Sequence, residues 1–447
     1  MATTIEGEQP GNKRRAALAQ APSPGTVVSV GRAYWAVIVL SLVGLLSAVD
    51  RNVLALLLTP IERDLRVGDT AMGALTGGAF TVVYATGALP MAMLADRTNR
   101  RNLIAAAVAF WSLMTAACGL ATGYAGLMAA RIGVAAGETS AGPAGQSLLA
   151  DFFPPAKRGA PIAILTIGLA IGYALGAVVT GIANDRYGWH VAMMVVAAPG
   201  VVVALLMWLT VQEPARGAHD GARSPEPIPG LWASVRTIAA IRTAGPLALG
   251  MVLLNVAFTG WLNWLPAFLG RVHHLNTTQA SAIFGLVVGV GGVLGNVVAG
   301  LASDAVAKRG ARYRMYYCGA MIVVATPLLT AVLLLGPLNI AVVCMVIFSL
   351  SAGGLTTVTG AAQLSISPPR LRAFMAAVFG LAVSIVGAGL GPFLIGALSD
   401  ALRSQYGAQS LRYSMLLIPV CLTLSGVMFL WASRTIDGDS SPVASRE

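Results

Sequence analysis

The chain has 447 residues, 56% of them hydrophobic and 11% charged, with a mean hydropathy of +0.76. Soluble domains carry about 25% charged residues, so this chain lacks the polar groups to cover a water-facing surface. The net charge of +11 is scattered over short loops and makes no continuous basic face, which excludes a nucleic-acid partner.

The first 30 residues, MATTIEGEQPGNKRRAALAQAPSPGTVVSV, are polar and contain no apolar h-region. No cleaved signal peptide is expected, and the first span would serve as an uncleaved anchor. A span needs about 20 mainly apolar residues. That length predicts helices near 33–60, 70–95, 102–122, 124–150, 160–184 and 189–211, then 244–270, 278–302, 313–335, 338–364, 371–399 and 409–433. Between the two sets lies EPARGAHDGARSPEPIPG (213–230), rich in Pro, Gly and charge, which is linker-like; LWASVRTIAAI (231–241) has room for a short amphipathic helix. The expected organisation is a disordered tail (1–32), a six-helix bundle (33–211), a linker (212–243), a second bundle (244–433) and a tail (434–447). The fold class is therefore an all-α polytopic membrane protein with twelve transmembrane helices.

An even count puts both termini on one side. Placing them in the cytoplasm keeps the basic runs DRTNRR (96–101) and KRGARYR (308–314) inside, as the positive-inside rule requires. A multi-pass protein of a bacterial inner membrane, monomeric, is the expectation. A small-xxx-Asp pattern ends the second, fifth, eighth and eleventh helices: AMLAD (92–96), GIAND (181–185), GLASD (300–304) and GALSD (396–400). The recurrence at every third helix points to four three-helix units. Units of odd helix number invert on duplication, so the two six-helix halves would each be an inverted pair.

Asp50 and Arg51 stand side by side within an apolar span, where a charge costs about 2.5–3.5 kcal/mol on insertion scales. Helical neighbours point about 100° apart, so the two cannot neutralise one another and each needs a partner elsewhere. The fourth helix offers Arg131 and Glu138, seven residues apart and nearly on one face. At a rise of about 1.5 Å per residue the depths overlap, so two acids and two bases would meet in one neutral cluster. One reading is a static pin between helices one and four. Buried ion pairs are poor stabilisers, so the favoured reading is a proton-coupled site in which a protonated acid leaves an arginine unmatched for an anionic headgroup. The proton is the coupling ion, and no other cofactor is expected. The second half offers only neutral groups in its spans: Asn255, Asn263, Asn296 and Gln363.

Further candidates are weaker in pattern. Asn255, Thr259 and Asn263 share a face of the seventh helix beside Phe258; Tyr84, Tyr173, Thr356 and Thr359 complete the expected substrate lining, with self-bonded threonines as the alternative. Trp261 and Trp264 would mark a membrane interface. Gly168, Gly172 and Gly176 form a small-residue stripe, as do Gly285, Gly289 and Gly292; each serves either as static packing or as a surface where the halves rock. The four cysteines lie in apolar segments without CxxC spacing, so neither disulfide nor zinc site is expected. The four histidines form no metal cluster, and His273–His274 is a solvated loop pair or a pH sensor. No GxxxxGK[ST] or HExxH occurs, which argues against an ATP-driven pump and against an enzyme.

DRTNRR resembles the loop motif of the major facilitator superfamily, with Ala92 and Asn99 where the family usually has glycine. GLAIGYALGA (168–177) resembles its glycine-rich fifth-helix motif, with Tyr173 where many antiporters have proline. The Asp50–Arg51 pair, RIGVAAGE (131–138), DFFPPAKRGAPIAI (151–164) and YGWHVAM (187–193) resemble the spinster-like group over the first six helices. The resemblance implies a substrate site between the halves near the midplane, proton coupling through Asp50 and Glu138, and a cytoplasmic gate at Asp96, Arg97 and Arg101 with Asp304 as counterpart. It also implies transport of an amphipathic, anionic solute such as a lysolipid or sphingolipid phosphate. A small organic anion or sugar acid is the alternative, and a non-transporting receptor or intramembrane enzyme a more distant one.

Overall fold

A bilayer offers no water to backbone groups, so each crossing must satisfy its own hydrogen bonds, and helices do so. The computed structural model describes residues 29–216 and 230–444; the expected tail over 1–28, the middle of the linker and the last three residues lie outside them. Twelve spans are present. Span 1 is Val30–Leu56, span 2 Asp69–Arg97 and span 3 Arg100–Gly119. Span 4 comprises Tyr124–Glu138 and Ala141–Phe152. Spans 5 and 6 run through Gly159–Thr210 and turn at Gly188, whose φ of 82° suits a residue without Cβ. Span 7 is Ala244–Val272, span 8 Thr277–Ala307 and span 9 Arg312–Leu334. Span 10 comprises Leu338–Ala352 and Leu355–Ile366, span 11 begins at Arg372 and ends at Tyr406, and span 12 closes with Leu417–Ala432. Large apolar side chains such as Val323 (72% exposed) and Leu301 (70%) face outward, as a lipid-facing surface requires.

Among the described residues, three short α-helices lie outside the spans: Leu58–Leu65, Leu231–Ala239 and Ile436–Ala444. The second is the amphipathic linker helix that the sequence had room for. The third lies within the expected tail (434–447). Asp439 accepts hydrogen bonds from the Thr243 backbone and hydroxyl, and Asp437 pairs with Arg312, so the tail is held against the starts of spans 7 and 9.

The side bearing Ser29, the helix Leu231–Ala239 and the helix Ile436–Ala444 is the linker face; the other is the far face. The halves meet mainly through the middle helices of the triplets, span 2 against span 11 and span 5 against span 8, with spans 1 and 7 also in contact. Three of these carry a π-helical turn at the contact: Ala74–Gly78, Gly285–Gly291 and Val383–Ala388. A Cβ on Gly77 would stand 2.8 Å from the Gly389 carbonyl oxygen, and one on Gly289 would stand 3.1 Å from the Ala174 Cβ. Span 8's stripe is thus partly an inter-half surface, although Gly292 looks toward Ser349 of its own half. The Gly168–Gly172–Gly176 stripe packs on Ser41, Leu45 and Val49 of span 1. That decides for static packing inside the first half, and against a rocking surface there.

Candidate functional site

Span 4 turns its glycines toward span 3, where Cβ atoms on Gly133 and Gly137 would collide with Met114 and Trp111. Close packing on that side leaves Arg131 and Glu138 to meet span 1. Ser47 and Arg51, one turn apart on span 1, both reach Glu138 Oε2, at 3.1 and 2.9 Å. The Glu138 side chain is wholly buried, whereas that of Arg51 is 39% accessible. Its guanidinium lies 4.7 Å from the Tyr84 ring centroid, and Tyr173 is half-buried against the core. Glu138 Oε1 makes no hydrogen bond to the described residues.

The four charges come together, and among them Arg51 and Glu138 form an ion pair. Arg131 Nη1 donates to the Asp50 backbone carbonyl at 2.9 Å, and Nη2 to that of Arg51 at 3.5 Å. Its guanidinium stacks 4.3 Å from the Phe80 ring, which Arg51 also faces at 5.9 Å. The Asp50 carboxylate instead accepts the Thr115 hydroxyl at 2.9 Å. One ion pair, one backbone clamp and one hydroxyl-bonded acid make up the cluster. Ser47, Phe80 and Thr115 are the partners that spacing did not reveal, since nothing local marks a Ser or Thr that faces a charge. Span 4 breaks directly after Glu138, at Thr139–Ser140, and span 10 breaks at Gly353–Gly354.

The second half supplies a neutral wall. Thr259 bonds the Asn255 carbonyl and approaches the Gly387 carbonyl, and Asn263 bonds the Thr259 carbonyl. The Asn255–Thr259 end of that stripe is therefore packed on the π turn of span 11. Phe258 is half-buried and Thr356 exposed, while Thr359 is buried and bonded to its own backbone. Asn296 is exposed and accepts the Thr357 hydroxyl at 2.9 Å. Trp261 and Trp264 are buried rather than interfacial; Trp264 donates to the Pro392 carbonyl.

The far face is locked across the halves. Asp400 of span 11 accepts from the Asp69 and Thr70 backbone N–H groups at 3.1 and 2.8 Å and from the Thr70 hydroxyl at 2.6 Å. It caps the start of span 2, where a negative charge suits the helix dipole. Asp185 of span 5 does the same for span 8, accepting the Thr278 N–H at 2.8 Å, while Asn184 bonds the Thr277 hydroxyl. Arg271 of span 7 grips Asp69 through two bonds of 2.8 and 3.0 Å and also pairs with Glu62. Half-buried His273 lies beside this face, its imidazole pKa lowered by burial and by Arg412 and His274.

The linker face is arranged differently. Asp96, Arg97 and Asp304 are exposed, and the bonds described for Arg101 go to Asn102, Val211 and Glu213 in its own half. The buried member of DRTNRR is Arg100, which bonds Ser147, Asp151 and Glu213. No bond between the halves is described at the four expected gate residues.

A model of the Major Facilitator Superfamily matches residues 40–392. The chain belongs to that superfamily. It is therefore an integral, multi-pass membrane transporter and not an enzyme, and it is spinster-like. An MFS-type efflux pump of Mycolicibacterium smegmatis is 30% identical, over 90% of this chain and 92% of that one. Protein spinster homolog 1 of Mus musculus is 30% identical, over 93% and 83%. The crystal structure of a bacterial homolog to the human lysosomal transporter Spinster, inward-facing and unoccupied, superposes with a TM-score of 0.83 at 27% identity, covering 92% of this chain and 99% of that one.

Proposed function

We propose that the protein is a proton-coupled secondary transporter of an amphipathic, anionic solute of the lysolipid or sphingolipid-phosphate kind, working by alternating access. The carrying observation is the Arg51–Glu138 pair: a wholly buried acid bound to an arginine that remains accessible. Protonation at the open Oε1 of Glu138 removes the counter-charge of Arg51. The guanidinium, held over Tyr84, then takes a phosphate or carboxylate in its place. Arg131 clamps the backbone that carries Asp50 and Arg51, so a change at Glu138 reaches Asp50 through span 1. The neutral wall around Phe258 leaves room for the apolar part of the solute, with Tyr173 opposite.

In this reading the linker face is cytoplasmic, the membrane is a bacterial inner membrane, and the structure stands inward-facing. Pseudo-symmetry supports alternation. Asp185 and Asp400 now cap spans 8 and 2; in the opposite state Asp304 and Asp96 would cap spans 5 and 11, with Arg97 and Arg101 beside them.

The test is lipid binding by thermal stabilisation at about pH 5.5 and about pH 7.5, lysophospholipids against small organic acids. The anion should bind more tightly at the lower pH. Glu138→Gln should bind equally at both, Arg51→Ala should lose binding, and Asp50→Asn should lose proton-driven transport. Stabilisation by organic acids alone would sink the lipid assignment. Unchanged pH dependence in Glu138→Gln would sink the coupling.

A further inference from the structure

The far-face lock contains more acid than base. Three carboxylates, Glu62, Asp69 and Asp400, share two guanidinium groups. Arg271 serves Asp69 and Glu62, and Arg403 lies 3.6 Å from Glu62 and 3.8 Å from Asp400. Arg63 and His274 line the same cavity of about 460 Å³, but both are exposed, and Arg63 also faces the adjoining groove that holds Asp185. Water screens exposed charges, and Arg403 is itself 57% accessible, so Arg271 carries most of the balance.

The three carboxylates are not equally provided for. Asp400 accepts three hydrogen bonds at the start of span 2. Asp69 has both Arg271 bonds and the Ser399 hydroxyl at 2.6 Å. Glu62 is 7% exposed; it has the second arm of an arginine already committed to Asp69, and the exposed Arg403 at 3.6 Å. A buried charge with half a partner is costly, and a single proton would make the cluster neutral.

We propose that Glu62 is a second proton-binding site, separate from the membrane quartet, and that its protonated form completes the closed far-face gate. Burial pushes the Glu62 carboxyl above its ordinary range; Arg271 pulls it back and Asp69 adds to the rise. When the halves part on this face, the carboxyl regains water and returns toward its usual value. The closed gate therefore binds the proton more tightly than the open one. By linkage, acid on this face favours closure, by at most about tenfold in the closed-to-open ratio per pH unit. The effect operates between the ordinary and the raised value: below that window both states are protonated, and above it neither is.

The experiment uses the full chain in lipid nanodiscs, spin-labelled through Arg66→Cys and Ser404→Cys, exposed positions on opposite halves of the far face, with Cys344 replaced by Ala. Asp50→Asn and Glu138→Gln silence the quartet, so failure of the proposed transport mechanism leaves this test intact. Lowering the pH from about 8 to about 5 should move the distance distribution toward the short, closed population. Glu62→Gln should remain closed at both ends of the range. Asp69→Asn, which removes the competing carboxylate, should move the transition to lower pH. Infrared difference spectra on acidification should show a protonated-carboxyl band that Glu62→Gln lacks, a readout that holds even if the silenced background stays closed. Opening on acidification, an undiminished pH response in Glu62→Gln, or an infrared band unchanged by that substitution would each overturn the proposal.

Discussion

The two faces carry the same small-xxx-Asp device and use it differently. At the far face Asp185 and Asp400 reach across the halves to cap spans 8 and 2, with Arg271 bridging Glu62 and Asp69. At the linker face Asp96 and Asp304 end their spans exposed. Four acids stand at equivalent places in the repeat, and in this structure two of them bond across the halves. Sequence alone does not say which two.

The comparison can be broken most severely at Arg271. Arg271→Leu leaves two buried carboxylates without their shared cation and should destabilise the far-face-closed form by about 3–5 kcal/mol. Arg97→Leu, on the exposed linker face, should change thermal stability by less than about 0.5 kcal/mol. Equal losses of melting temperature in the two variants would contradict the asymmetry.

Next come the paired caps. Asp400→Asn should cost the closed far face about 0.5–2 kcal/mol, by weakening a cap and removing a charge that the helix dipole favours. Labelling of a far-face cysteine should therefore accelerate. Asp96→Asn should leave that labelling unaccelerated, because the carboxylate it removes makes no described contact with the second half in this state. If both variants opened the far face alike, the exchange of caps between states would be wrong.

A third comparison lies at the contact itself. Gly77→Ala places a Cβ 2.8 Å from the Gly389 carbonyl oxygen, so the helices must shift by a few tenths of an ångström, at about 1–3 kcal/mol. Gly78→Ala has open space and should be stabilising or neutral. Thermal unfolding of the two neighbours separates contact from helix propensity.

Much of the site was legible because insertion in lipid penalises charge. Asp50, Arg51, Arg131 and Glu138 stand out for that reason, and helical periodicity puts Arg131 and Glu138 on one face. The partners were not legible. Thr115, Ser47 and Phe80 are ordinary membrane residues, and their importance comes from facing a charge on another helix. Arg100 was passed over for Arg97 and Arg101 because a basic run does not show which member turns inward. Arg271, Glu62 and Asp69 lay in or next to loops, where charge carries no insertion penalty and so no signal.

The sequence by itself determined the twelve crossings, the internal repeat and the confinement of intramembrane charge to the first half, because hydropathy and helical pitch act locally along the chain. The tertiary structure alone decided the pairing of those charges, the burial of Trp261 and Trp264, the intra-half role of the Gly168 stripe and the choice of locked face. These depend on contacts between segments hundreds of residues apart, where two packings of nearly equal energy can share one set of helices.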